Sequence, residues 1–345
     1  MKSAAQVILI SLSLVLLVEF VVRLTTDVGR LGVEGTLFTN NAWLDSYGNT
    51  PNISAVAFGV KVQTNEFGFR VRPGERAESP QIGDVLILGD SVAFGVGVEY
   101  QDIAASIVAA ALPTNQVSNA AVIGHSTADH LNVAKVLLTK YPNSVQHIVV
   151  VYCLNDLSEA SARRIQNRSA DTRAKVVTPA VITAGLIDAA LVDRLRNSTF
   201  FRDLNDLLRA HSNLYVLVRG LMTDPQGRYW VNLLSDYEAL ASDGVAEVLA
   251  PMLELQSLAT AHQVELSVII APFAEQMRLE DSAYPQELVG NFLATAGIAH
   301  LDLLPKFLAA EKPTDLFLPY DPVHLSAAGH ELLAEGIQQV LASEP

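Results

Sequence analysis

Val85-Leu86-Ile87-Leu88-Gly89-Asp90-Ser91-Val92 runs four apolar residues straight into small and polar ones. An apolar run without polar alternation describes a strand buried on both faces, as in a parallel sheet. The glycine, aspartate and serine that follow read as the turn from that strand into a helix. A serine there stands at the lip of the sheet, where open α/β proteins place their ligands. Further strand-like runs follow at 116–120, 145–152, 264–271 and 298–301. They alternate with helical patterns at 103–111, 128–140, 237–262 and 326–342. This alternation predicts an α/β protein whose parallel sheet is covered on both faces.

Half of the 345 residues are hydrophobic and 17% are charged, so the chain has the material for a large core and is not a disordered segment. A net charge of -14 leaves no basic excess to neutralise phosphates, which argues against a nucleic-acid partner. The single cysteine, Cys153, excludes an intramolecular disulfide and any cysteine-rich metal site.

The first residues differ from the rest. Between Ala4 and Val18 the exceptions to apolar character are Gln6, Ser11 and Ser13, and Phe20-Val21-Val22 extends the run past Glu19. A helix over this stretch rises about 28 Å at ~1.5 Å per residue, close to the thickness of bilayer hydrocarbon. No small-x-small cleavage site follows it, and it lacks the polar stripe of a buried globular helix. We therefore expect an uncleaved single-pass anchor in residues 1–30, with a signal peptide as the alternative. Glu19 is its awkward residue, with Arg23 one turn on as its expected partner. Basic residues flank both ends, and the orientation expected is one with the remaining domain outside the cytoplasm.

Residues 31–82, rich in Gly, Asn, Thr and Pro, read as a lead-in of turns and short strands, and 83–345 as one domain. Within it, 157–235 breaks the alternation, with a basic piece (Arg163 to Lys175) and helix-like segments at 184–195 and 200–222. It reads as a solvated loop with covering helices or as a lid over the site. Asn-x-Ser/Thr triplets at Asn52, Asn167 and Asn197 carry no weight without a secretory context.

A serine hydroxyl needs a base to take its proton and donors to hold the oxyanion that its attack creates. Ser91 supplies the nucleophile. Asp321-Pro322-Val323-His324 supplies a base, His324, with Asp321 near enough on one turn to orient its imidazole. Ser326 is the expected N-cap of the terminal helix. The Gly-x-Ser-x-Gly elbow of α/β-hydrolases is absent, since Ala93 stands where its second glycine would be.

The motifs in their order resemble the SGNH, or GDSL-like, hydrolase superfamily. Gly89-Asp90-Ser91-Val92 with Phe94-Gly95 and Gly97 is similar to its first block. The stretch from Asn119 to Ser126, containing Gly124, is similar to its second, and Leu154-Asn155-Asp156 to its third. Asp321-Pro322-Val323-His324-Leu325-Ser326 with Gly329 is similar to its last. The anchor, together with Thr64-Asn65-Glu66-Phe67-Gly68-Phe69-Arg70, is similar to membrane-anchored bacterial members. Two positions depart from the pattern: Cys153 and Ala121 stand where glycines are usual.

The resemblance and the alternation together imply a three-layer α/β/α sandwich with a flavodoxin-like parallel sheet. The resemblance further implies an oxyanion hole made by the N–H groups of Ser91 and Gly124 and the side-chain amide of Asn155. The function expected is a membrane-anchored serine esterase acting on O-acyl, plausibly O-acetyl, esters of a small molecule or glycan, with no cofactor and no metal. The alternatives are an O-acyltransferase working on a cell-surface glycan and a non-catalytic glycan-binding module. Asp90 is read as an anchor of the turn that carries Ser91, and Cys153, His125, His130 and His330 as structural residues. Oligomeric state is left open.

Overall fold

The computed structural model describes residues 2–26, 28, 37–74, 82–112, 116–157, 198–280 and 282–342. The basic piece from Arg163 to Lys175, the helical pattern at 184–195 and the triplets at Asn167 and Asn197 lie outside the described residues. Helix α1 (Lys2–Thr25) comes first. The lead-in forms a two-stranded antiparallel sheet, β1 (Phe38–Asn41) with β2 (Ser46–Asn49), and a three-stranded one of β3 (Ser54–Ala57), β4 (Val60–Thr64) and β5 (Arg70–Val71).

The central sheet has five parallel strands: β6 (Val85–Gly89), β7 (Val117–Asn119), β8 (His147–Cys153), β9 (Glu265–Ala271) and β10 (Ala299–Asp302). Their spatial order is β10-β9-β8-β6-β7. Numbered within this sheet that is 2-1-3-4-5, the flavodoxin-like order, with its switch point between β6 and β8. Every residue of β6 and β8 is buried, as their unbroken apolar runs require.

The helices between the strands are α2 (Ser91–Phe94), α3 (Ala104–Ala111), α4 (Thr127–Lys140), α5 (Thr199–His211), α6 (Asn213–Thr223), α7 (Pro225–Ala261), α8 (Tyr284–Thr295), α9 (Leu304–Leu308) and α10 (Ala327–Ala342). Helices α3 and α10 pack together, as do α4 and α8 with α7, which places layers on both sides of the sheet. The result is the α/β/α sandwich. Helix α7 begins well before the expected 237. Asp224 caps it by accepting from the Gly227 N–H, and Pro225 occupies its first turn, a start signal obscured by Gly227. Helix α8 was not expected from the sequence pattern, although Pro285 marks its first turn.

Helix α1 is exposed along almost its whole length, which removes the reading of a buried core helix. Residues Ala5–Thr25 are long and apolar enough to cross a membrane. Glu19 does pair with Arg23, at 2.6 Å, but it also reaches across to α6. Its carboxylate accepts from the Ser212 hydroxyl (2.8 Å) and from the N–H groups of Asn213 and Leu214 (2.9 Å each), while Arg23 donates to the His211 carbonyl at 2.6 Å. A charge that is costly in an apolar helix is thus used to cap a second helix.

Candidate active site

Ser91 is the first residue of α2, directly after β6. Asp90 caps the helix by accepting from the Val92 N–H at 2.9 Å, the anchoring role read from the sequence. The far end of this short helix is held as tightly. Asn119, at the end of β7, donates to the Ala93 carbonyl at 2.9 Å. Arg70 donates to the carbonyls of Phe94 (3.0 Å), Gly95 (2.5 Å) and Val98 (2.6 Å) and lies over the Phe94 ring. A buried cation thus meets the last carbonyl of α2 and two in the turn that follows it.

The second half of the site arrives from the opposite end of the chain. An isolated antiparallel bridge between Phe317 and Leu325 closes a tight loop. Within it, Asp321 Oδ1 accepts from the backbone N–H groups of Val323 (2.9 Å) and His324 (2.8 Å), and Oδ2 lies 2.8 Å from His324 Nδ1. That contact assigns the proton to Nδ1 and leaves Nε2 as an acceptor. Ser326 caps α10 as expected, accepting from the Gly329 N–H.

Burial opposes ionisation of Asp321, yet the neighbouring imidazole and its hydrogen bonds prevail and hold the carboxyl below its ordinary value. For His324 the order is the same: burial works to lower it, but Asp321, with a smaller contribution from Asp90, raises it above the usual imidazole value. Burial raises Asp90, against the Val92 N–H, the charge of His324 and its contacts with Asn155 and Ser91.

Ser91, Gly124, Asn155, Asp321 and His324 all line one cavity of about 500 Å³, in the size range of small-molecule sites. Ser91 and Asn155 follow β6 and β8, the two strands that flank the switch point. Gly124, after β7, lines the cavity with φ +79 and open space where a Cβ would stand. The Ser91 hydroxyl donates to Asp90 Oδ2 at 3.3 Å, and Asn155 Nδ2 lies 3.4 Å from the same oxygen. Among the described residues no hydrogen bond joins Ser91 to His324. Nucleophile–base contacts of this kind are often loose until a substrate is present.

No family model matches the chain, and no curated protein does. Solved structures that are similar include a lipolytic protein of the G-D-S-L family from Veillonella parvula, at 12% identity and a TM-score of 0.43 over 75% of this chain and 98% of that one. An acetylxylan esterase from Geobacillus stearothermophilus is similar at 12% identity and a TM-score of 0.41, over 77% and 98%. The lipase/acylhydrolase from Enterococcus faecalis is similar at 14% and 0.39, over 74% and 94%.

The remaining residues named from the sequence fall outside the cavity. Cys153 is buried at the end of β8 and does not line it, so its thiol fills core rather than pocket space. Ala121 is buried, its carbonyl accepting from Asn49 of β2 at 3.0 Å. His330 accepts from the Ala104 N–H, and burial, aided by the charges of Arg70 and His324, lowers it to about 3. His130 is likewise pushed down to about 3, chiefly by burial and then by His125. His125 contacts the Tyr47 carbonyl at 2.9 Å. Among the described residues no group of three His, Cys, Asp or Glu is arranged to hold a metal.

The sequence reading missed Arg209, Arg219 and Arg228, which line the cavity from α5, α6 and α7. They lie in the segment 157–235, read as a solvated loop with covering helices or as a lid, and nothing in their spacing shows that they converge on one cavity.

Proposed function

We propose that the protein is a membrane-anchored serine hydrolase of carboxylic esters. The observation that carries this reading is the convergence of Ser91 with the His324–Asp321 pair on one cavity, although they come from opposite ends of the domain. A turn about the Ser91 Cα–Cβ bond redirects its hydroxyl from Asp90 towards His324. Ser91 Oγ then attacks the ester carbonyl as its proton passes to His324 Nε2, and Asp321 stabilises the imidazolium. The N–H groups of Ser91 and Gly124 and the amide of Asn155 hold the oxyanion. Collapse breaks the bond to the alcohol, which leaves with the proton from His324, and Ser91 is acylated. Water attacks next, giving its proton to His324; the carboxylic acid departs and the serine regains its hydrogen.

An alcohol in place of that water makes the same machinery an acyltransferase. An O-acetyl group is the acyl group proposed. The apolar, exposed α1 supports tethering to a membrane, and the hydrolase domain is proposed to lie outside the cytoplasm. A fluorophosphonate probe is expected to label the full-length protein at Ser91, and Ser91→Ala to abolish both labelling and turnover of an activated acetate ester while leaving the thermal transition in place. Labelling that survives in Ser91→Ala overturns the assignment.

A further inference from the structure

The chain carries 37 acidic residues against 23 Lys and Arg, yet the formal charge of the cavity's described lining residues has the opposite sign. Three of those cations, Arg209, Arg219 and Arg228, line it. Its one carboxylate among the described lining residues is Asp321, already committed to His324. None of the three guanidinium groups makes an ion pair with a described residue. The Nε of Arg209 is buried without a hydrogen-bond partner among them.

An acidic protein that needed a neutral substrate would gain nothing from concentrating cations around its nucleophile. Their mutual repulsion would only weaken the packing of α5, α6 and α7. Planar guanidinium forks are suited to carboxylate and phosphate oxygens, and cations lining a low-dielectric cleft attract anions from solution.

We infer that the substrate is anionic: an acyl ester bearing a carboxylate or phosphate close to the ester, held by Arg209, Arg219 and Arg228 while Ser91 attacks. This inference rests on the hydrolase reading and narrows it to a substrate class. It also gives the described part of 157–235 a task. Helices α5 and α6 and the start of α7 form the wall that selects the substrate. Gly220 lets that wall close against the catalytic loop, because a Cβ there would meet the Tyr320 ring at 2.3 Å.

The test compares 4-acetoxyphenylacetate with its methyl ester, a pair in which a methylene insulates the leaving phenol from the charge. With the full-length protein in neutral detergent, kcat/KM is expected to favour the anion by about tenfold or more, as hydrogen bonds to charged groups provide. That ratio should fall in Arg219→Gln and Arg228→Gln and at high ionic strength, with Arg219→Lys retaining part of it. Equal turnover of the two esters, or a ratio unchanged in both variants, overturns the inference.

Calorimetric titration of Ser91→Ala with 4-acetoxyphenylacetate reads the same site without turnover. Binding that weakens when Arg219→Gln is added supports the anion site even if the unaltered protein hydrolyses neither ester, in which case the hydrolase reading alone falls. Hydrolysis of the methyl ester without binding of the anion leaves the hydrolase standing and removes the anion site. Competition by galacturonate against glycerol phosphate then identifies the preferred anion as carboxylate or phosphate.

Discussion

At the residue scale, the pairing of His324 with Asp321 makes a prediction about pH. His324, the proposed base, can act only when it is neutral, so kcat/KM is expected to rise with pH as the imidazole loses its proton. Asp321 holds that imidazole above its usual value, so the acidic limb should have its midpoint above 6.5. Asp321→Asn removes the charge that raises His324 and leaves the burial that lowers it. The midpoint should then move to lower pH while kcat falls by roughly 10⁴-fold. A pH–rate profile of both proteins checks this, and a midpoint that does not move means that Asp321 is not the partner of His324.

At the element scale, the serine-bearing helix α2 has four residues and cannot be stable by itself. Its order comes from Asp90 at one end and from Asn119 and Arg70 at the other. Arg70→Met keeps much of the side-chain volume but strands the Phe94 and Val98 carbonyls, while that of Gly95 keeps the Val98 N–H. We expect a loss of about 3 kcal/mol or more in urea denaturation, with a lower kcat, since each hydrogen bond to a charged group contributes roughly 1.5–3 kcal/mol.

The joint between α1 and α6 makes a second prediction at this scale. Glu19→Ala removes the acceptor for Ser212, Asn213 and Leu214, leaving α6 only its Ser212 cap on Tyr215, at a cost of about 1–2 kcal/mol, as for other lost caps. Amide exchange in the first turn of α6 should accelerate while the exchange of β8 stays unchanged. Because α6 also lines the cavity, α1 is part of the scaffold of the site.

At the scale of the whole molecule, two buried histidines tie stability to pH. His130 and His330 stay neutral in the fold down to about 3, mainly because burial disfavours their charge. In the unfolded chain they take up protons near 6.5. Between those values the unfolded state binds more protons, so their contribution is present above about 6.5 and is lost as pH falls towards 3. Asp90 and His324, both held high, act with the opposite sign, so the check is a difference between proteins. Melting temperature against pH should be less steep over this window in His330→Gln than in the unaltered chain. Parallel curves would show that His330 is not held neutral.

Much of this architecture could be read directly from the chain. The apolar runs at Val85 and Val145 are strands because a run with no polar face has no solvent-facing side. Asp321 and His324 lie within one turn of chain, so their contact is local and sequence can display it. Helix α1 can be read for the same reason, since its apolar character is a property of consecutive residues. What the sequence did not determine is non-local. Arg70 and α2 are brought together by the packing of β5 on the sandwich, and Glu19 reaches α6 across nearly two hundred residues of chain. Arg209, Arg219 and Arg228 become a cationic wall only when three helices are folded over the switch point. Sequence alone determined the candidate nucleophile, its candidate base and the layered fold, whereas tertiary structure decided what surrounds them. Local chemistry is written in consecutive residues, but the field inside a cavity is a sum over side chains that only packing brings within reach of one another.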